Sequence, residues 1–183
     1  MLLAETDPKA KAACIGPAGE NLVLMASIMN DKHRAAARSG VGAVMGSKNL
    51  KGVVAQGKKN PAIFDEKLMR QFSVELSKEV GADIKKGSSL REYGTAYAAQ
   101  VTDTLGILPT YNFQQGTFEG VSKVDGVALT DSFLVKNVPC YRCPISCGRL
   151  TSVDVDKYAG KGEGPEYESV SSLGTACGVD NLA

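Results

Sequence analysis

The residues with the clearest chemical potential are three cysteines. Cys140, Cys143 and Cys147 occur in the run Cys140-Tyr-Arg-Cys143-Pro-Ile-Ser-Cys147, a C-x2-C-x3-C spacing. Three thiolates in one tight loop can converge on a soft metal centre. Four thiolates hold a cubane iron–sulfur cluster, the fourth often arriving from elsewhere in the chain. Zinc also accepts three thiolates and a further ligand, but its structural sites favour paired C-x2-C units, and the loop has one. The sole histidine, His33, is far upstream, so a local site of three cysteines and one histidine is not available. Unliganded or redox-active thiols are the third reading. Pro139 and Pro144 stiffen the loop, and Gly148 permits a sharp exit. A ligand set drawn only from this chain would need Cys14 or Cys177, each of which reads more simply as a small buried hydrophobe.

Two other segments carry candidate chemistry. In Arg34-Ala35-Ala36-Ala37-Arg38, followed by Ser-Gly-Val-Gly-Ala-Val-Met-Gly46-Ser-Lys-Asn, two arginines four apart can fork onto phosphate or pterin oxygens. Small side chains let a large ligand approach the backbone, and the N–H groups of a helix starting here suit phosphate. The segment is not a P-loop, since no glycine directly precedes Lys48. Nor is it a dinucleotide fingerprint, since its glycines read GxGxxxG and a polar stretch, rather than a strand, leads into them. The alternative is a tight turn and a closely packed helix with surface arginines. Glu163-Gly-Pro-Glu166-Tyr-Glu168 places three carboxylates at an expected helix start, where the helix dipole favours them. Glu168 is the candidate general acid/base if it faces a buried cavity, because burial raises a carboxylate pKa into the working range.

These residues must be positioned by short strands and amphipathic helices. The turn chemistry of Gly16-Pro17-Ala18-Gly19 splits residues 11–30 into two apolar runs, the second (Leu22–Met29) being strand or buried helix. Val53-Val54-Ala55 reads as a strand, and Lys58-Lys59-Asn60-Pro61 as a domain boundary. Behind a cap at Asp65, Phe64, Leu68, Phe72, Leu76 and Val80 form one helical stripe; Leu90, Tyr93, Tyr97, Val101 and Leu105 form another. Both stripes are expected in the core. Residues 106–127 form a loop too long to be a mere connector. Residues 131–138 are expected as a short helix, 151–164 as a polar segment, and a further helix starts near Pro165.

Composition sets the outer limits. With 183 residues, 43% of them hydrophobic, the chain can bury a core. Its 21 basic residues against 20 acidic ones give no electrostatic case for nucleic acid or an anionic membrane. The apolar run Leu22–Ile28 is far short of the ~20 residues of a membrane-spanning helix. The amino terminus lacks a signal peptide's apolar stretch, so the cytoplasm is the expected compartment. An odd cysteine count without an export signal weighs against a disulfide scaffold. The abrupt end after an apolar segment reads as that of a fragment.

In order and spacing, these motifs resemble the tungsten-containing aldehyde:ferredoxin oxidoreductase family. The resemblance rests on IGPAGENLVLMASIMND (15–31), HRAAARSGVGAVMGSKNLKG (33–52), LPTYNF (108–113), CYRCPISCGR (140–149) and EGPEYES (163–169). It implies an α+β fold: the β-rich end of an N-terminal pterin-binding domain (1–60), then the start of a mainly α-helical domain carrying iron–sulfur ligands (61–183), both incomplete. It implies a tungsten or molybdenum bis-pyranopterin, magnesium bridging the pterin phosphates, and a [4Fe–4S] cluster. Cys140, Cys143 and Cys147 match three cluster ligands, the fourth lying further along the family's chain. Arg34, Ala35, Ala37 and Arg38 match the R-A-x-G-R pterin contact, with Ala37 standing where glycine is usual. Glu168 matches the glutamate near the tungsten. The implied reaction oxidises an aldehyde to a carboxylic acid, with ferredoxin and a small aldehyde as partners and a homo-oligomer as the assembly. Rival readings are a low-potential tungsten reductase acting on an aromatic or acyl substrate, and an iron–sulfur electron-transfer module without tungsten.

Overall fold

A computed structural model of the chain describes residues 7, 9–31 and 33–182, with the backbone alone at Asp156. It divides into two compact units, Met1–Phe64 and Asp65–Ala183. Among the described residues, no helix is long and apolar enough to cross a membrane.

The first unit is a sheet with two short helices. Strand β1 (Lys11–Cys14) ends before Gly16-Pro17, and Pro17 opens the one-turn helix α1 (Pro17–Glu20), where its missing N–H costs nothing. Strands β2 (Ile28–Asn30), β3 (Arg34–Ala36) and β4 (Gly52–Ala55) complete an antiparallel sheet of order β3-β2-β1-β4, and helix α2 (Val41–Ser47) precedes β4. The strand at Val53–Ala55 is as expected, but the apolar run 22–29 is strand only at its end and is largely exposed, Ala26 apart. Leu22 takes a left-handed φ of 56°, and the Leu24 and Met25 side chains are 88% and 84% exposed. What lies inside is this segment's backbone, covered by residues 40–42: the Gly42 N–H donates to the Ala26 carbonyl at 2.9 Å.

The second unit opens with helix α3 (Glu66–Lys85), capped as expected by Asp65, whose carboxylate accepts from the Leu68 N–H at 2.8 Å. The stripe along it is not core: α3 has no buried residue, and Phe72 and Leu76 are 60% and 61% exposed. Four-residue periodicity decides which face is apolar, not what covers it. The second stripe also fails as core, because Gly94 (φ 69°) interrupts it between α4 (Ser89–Tyr93) and a 3-10 turn (Thr95–Tyr97) leading into α5 (Ala98–Thr104). Ala96 and Ala99 are buried instead.

The core of this unit gathers Ala96, Ala99, Leu108, Phe118, Val124, Leu129 and Val170. The long loop is therefore a structural member, contributing Leu108, Phe118 and Val124. It is pinned by Asp103, which accepts from the Phe118 N–H at 2.7 Å, and by Tyr111 and Asn112, whose N–H groups donate to the Thr175 and Ala176 carbonyls. Helix α6 (Gly126–Phe133) starts at the buried Asp125, which accepts from Val127 and Ala128. Residues 134–138, expected as helix, are instead strand β5 (Leu134–Val138), because Val138 precedes Pro139 and is steered from the α region. The expected polar segment, 151–164, holds the end of strand β6 (Gly148–Val153) and all of β7 (Gly160–Glu163), giving the antiparallel order β5-β6-β7. Helix α7 (Tyr167–Ser169), as expected just after Pro165, runs into a π turn (Val170–Gly174).

Glycine substitutions separate packing from propensity. A Cβ on Gly46 would sit 1.9 Å from the Gly19 carbonyl oxygen, whereas one on Gly81 of α3 would meet nothing within 4 Å. Gly46→Ala should destabilise the protein by about 1–3 kcal/mol, and Gly81→Ala should stabilise it by about 0.5–1 kcal/mol. Thermal unfolding midpoints moving in opposite directions would bear this out.

Candidate metal centre on the cysteine loop

Strand β5 leads into the cysteines and β6 leads out, and the Val138–Gly148 pairing closes the loop 139–147 between them. Inside it the Cys143 N–H donates to the Cys140 carbonyl at 3.0 Å, and Arg142 and Ser146 take left-handed φ values of 54° and 58°. All three thiols are free; Cys140 is exposed, while Cys143 and Cys147 are half-buried. Burial pushes the Cys147 thiol pKa up, the negative charge of Glu166 adds to this, and Cys140 and Cys143 add in the same direction.

Three polar side chains frame the loop. Arg91 of α4 donates from Nη1 to the carbonyls of Pro144 and Ile145, at 3.1 and 3.2 Å. Its own carbonyl accepts from Asn137 Nδ2 of β5 at 2.7 Å and from Arg149 Nη2 of β6 at 2.9 Å. Arg149 Nη1 donates to Asn137 Oδ1 at 2.6 Å. Arg149 is only 2% exposed, and its Nε has no partner. Gly94 closes over it: a Cβ there would lie 2.6 Å from Arg149 Nε and 3.0 Å from the Cys147 carbonyl. Burial lowers the Arg149 pKa, while the charges of Cys147 and Glu166 act to hold the proton on.

The acidic motif returns to the same end of the sheet. β7 runs back along β6, pairing Glu163 with Leu150, and the Gly164 N–H donates to the Arg149 carbonyl at 2.8 Å. Thr95 then donates its hydroxyl to Glu166 and accepts from the Tyr167 N–H at 3.0 Å. Glu166, half-buried, is thus the carboxylate whose charge reaches Cys147. Glu168 is exposed, so the buried setting expected for a general acid/base is not what it occupies. Arg91, Asn137, Arg149, Thr95 and Glu166 were not singled out from the sequence as site residues, apart from Glu166's place in the acidic motif. No spacing rule links residues 91, 137 and 149.

In the first unit, Arg34 and Ala35 lie on the edge strand β3, and Ala37 and Arg38 on the turn after it; all four are exposed. A strand therefore does lead into the glycines, contrary to expectation. The glycines pack on the protein's own backbone rather than leaving it open to a ligand. A Cβ on Gly40 would lie 2.1 Å from the Leu24 carbonyl oxygen, and one on Gly42 would lie 2.5 Å from that of Ser27. The exposed Arg34–Arg38 surface remains for a ligand.

The profile of aldehyde ferredoxin oxidoreductase domains 2 and 3 matches residues 71–183, and that of the N-terminal domain matches residues 1–57. The chain belongs to the aldehyde ferredoxin oxidoreductase family. It is 46% identical, over 96% of its length, to the tungsten-containing aldehyde ferredoxin oxidoreductases of Thermococcus kodakarensis and Pyrococcus furiosus, and spans 28% of the length of each. The WOR-like subunit of an aliphatic sulfonate oxidoreductase from Pyrococcus furiosus is 32% identical over 90% of the chain. The fold matches the active-site complex BamBC of benzoyl coenzyme A reductase, solved with 1,5-dienoyl-CoA. That match has a TM-score of 0.70 at 22% identity, covering 98% of this chain and 28% of that one.

Among the described residues, no three His, Cys, Asp or Glu side chains converge on one ion. A cubane cluster asks for something else, since each thiolate ligates a different iron. Three free thiols on one braced loop, beside a buried cation, suit that donor set.

The brace itself is testable. Losing the two Arg91 bonds should cost the loop about 1 kcal/mol of local order, which is roughly a fivefold change in opening. In the cofactor-free protein, Arg91→Ala should therefore speed alkylation of Cys143 and Cys147 about fivefold while leaving Cys177 unchanged, as timed labelling with mass spectrometry would measure.

Proposed function

We propose that this chain is the portion of a tungstopterin oxidoreductase that carries three ligands of a [4Fe–4S] cluster and one arginine-bearing pterin contact. On this reading the whole enzyme oxidises an aldehyde to a carboxylate with ferredoxin as acceptor. The supporting observation is the cysteine loop, three free thiols framed by Arg91, Asn137 and Arg149, in a chain 46% identical to relatives bearing that activity in their names. That identity exceeds the 32% shared with the sulfonate oxidoreductase subunit, which favours an aldehyde over the alternative substrates.

The reaction balances as aldehyde plus water giving carboxylate, three protons and two electrons. The tungsten–pterin centre, when bound, supplies the two-electron oxidation, and the cluster delivers electrons singly to ferredoxin. The chain's own residues position and screen these groups. Cys140, Cys143 and Cys147 supply thiolates from a loop with its backbone already tied. Arg34 and Arg38 would offer their guanidinium forks to the phosphates of a magnesium-bound pterin, and the small Ala35 and Ala37 would let that ligand approach the backbone closely. Glu168, exposed on the first turn of α7, would exchange protons with water or substrate at the metal, a role that rests on its match to the family's glutamate. Glu166 holds its carboxylate on Thr95.

In the full-length enzyme, metal analysis should find tungsten or molybdenum together with iron and acid-labile sulfide. Cys143→Ser should lower iron content and uncouple ferredoxin reduction. Glu168→Gln should reduce turnover by about 10²-fold or more, a magnitude typical of a lost acid–base group, with tungsten and iron contents intact. Stoichiometric zinc without sulfide would overturn the cluster assignment, and unchanged turnover of Glu168→Gln would remove its proton role.

A further inference from the structure

We propose that Arg149 is a potential-setting residue: its buried positive charge stabilises the reduced form of the cluster held by the cysteine loop. The inference rests on the cluster reading above and goes beyond it to a residue that neither ligates nor touches substrate.

The argument starts from charge balance. Arg149 is 2% exposed, and a guanidinium removed from water needs either an ion-pair partner or a dense set of acceptors. It has neither. Both Nη groups go to neutral acceptors, Asn137 Oδ1 and the Arg91 carbonyl, and Nε has none. Among the described residues, no carboxylate lies within ion-pair distance of it. Glu166, the half-buried carboxylate at this end of the sheet, is held on Thr95 instead. An anionic centre at the cysteine loop would supply the missing compensation.

The geometry holds that charge in place. Arg149 lies two residues beyond Cys147 on β6, with Gly94 closing over both its Nε and the Cys147 carbonyl. Asn137 fixes the guanidinium on one side and the Arg91 backbone on the other. No side chain larger than glycine fits at position 94 without displacing Arg149. Each electron entering a thiolate-bound cluster adds one negative charge with no bond made or broken. A fixed cation nearby, in a site of low dielectric, lowers the free energy of that added charge. The electron would be supplied by the aldehyde oxidation and passed on to ferredoxin, so Arg149 would change the equilibrium of the transfer and not its stoichiometry.

The test is a redox titration of the full-length holoenzyme, following the reduced-cluster signal by electron paramagnetic resonance. Arg149→Gln should make cluster reduction about tenfold less favourable, which is about 59 mV lower for a one-electron couple. Arg149→Lys, which keeps the charge, should stay within about threefold of the wild type. Should Arg149→Gln fail to fold, Asn137→Asp gives the same reading, because it places a carboxylate on the guanidinium at unchanged shape. It should also lower the potential. Lys136→Gln, which removes an exposed charge from the neighbouring position on β5, should leave the potential unchanged. A full complement of iron and sulfide with a wild-type potential in Arg149→Gln or Asn137→Asp would overturn the role of Arg149 and leave the cluster assignment standing. Absence of iron and sulfide from the wild-type enzyme would overturn the cluster assignment, and this inference with it.

Discussion

Antiparallel pairing of β5, β6 and β7 is the constraint on which the candidate site depends. Pairing Val138 with Gly148 closes the cysteine loop, and the chain must then leave along β6. Pairing Leu150 with Glu163 sends it back along β7 to the end where the cysteines sit. Ladder hydrogen bonds fix the register, and a one-residue slip would turn Arg149 to the other face of the sheet. The proximity of thiols, guanidinium and carboxylate therefore follows from sheet register rather than from any local motif.

That register creates a charge problem whose solution defines the site. Arg149 is drawn under α4, where polar neighbours satisfy its two Nη groups but leave its charge uncompensated by an ion pair. Glu166 is held back on Thr95, near enough for its field to be felt and too far for a direct pair. The Cys147 thiol, in turn, is raised by burial and by that same carboxylate. Arg149 thus keeps a buried charge that an anionic centre at the cysteine loop would settle.

The first unit shows how small residues can be read for the wrong purpose. Gly40, Gly42 and Gly46 sit where a β-carbon would strike a carbonyl oxygen of Leu24, Ser27 or Gly19. Their smallness serves the close packing of α1, α2 and the segment after α1. Arg34 on β3 and Arg38 in the turn after it are exposed, whereas the glycines face the protein's own backbone. A sequence pattern cannot separate these roles, because a glycine required by internal packing and one required by a ligand look alike in one chain.

Several features were legible in the sequence because short-range physics decides them. The C-x2-C-x3-C spacing put three thiols on one loop, Asp65 capped α3, a helix began just after Pro165, and the order of motifs pointed to the aldehyde ferredoxin oxidoreductase family. Other features were not. The apolar stripe on α3 is exposed, Gly94 breaks the second stripe, and β7 (Gly160–Glu163) has too little apolar alternation to read as a strand. Pairing residues 91, 137 and 149, and choosing Glu166 over Glu168 as the carboxylate nearest in charge to Cys147, needed the tertiary structure. Side-chain type and spacing act over a turn of helix or a few residues of strand, whereas burial and electrostatic fields depend on which distant segments the sheet brings together.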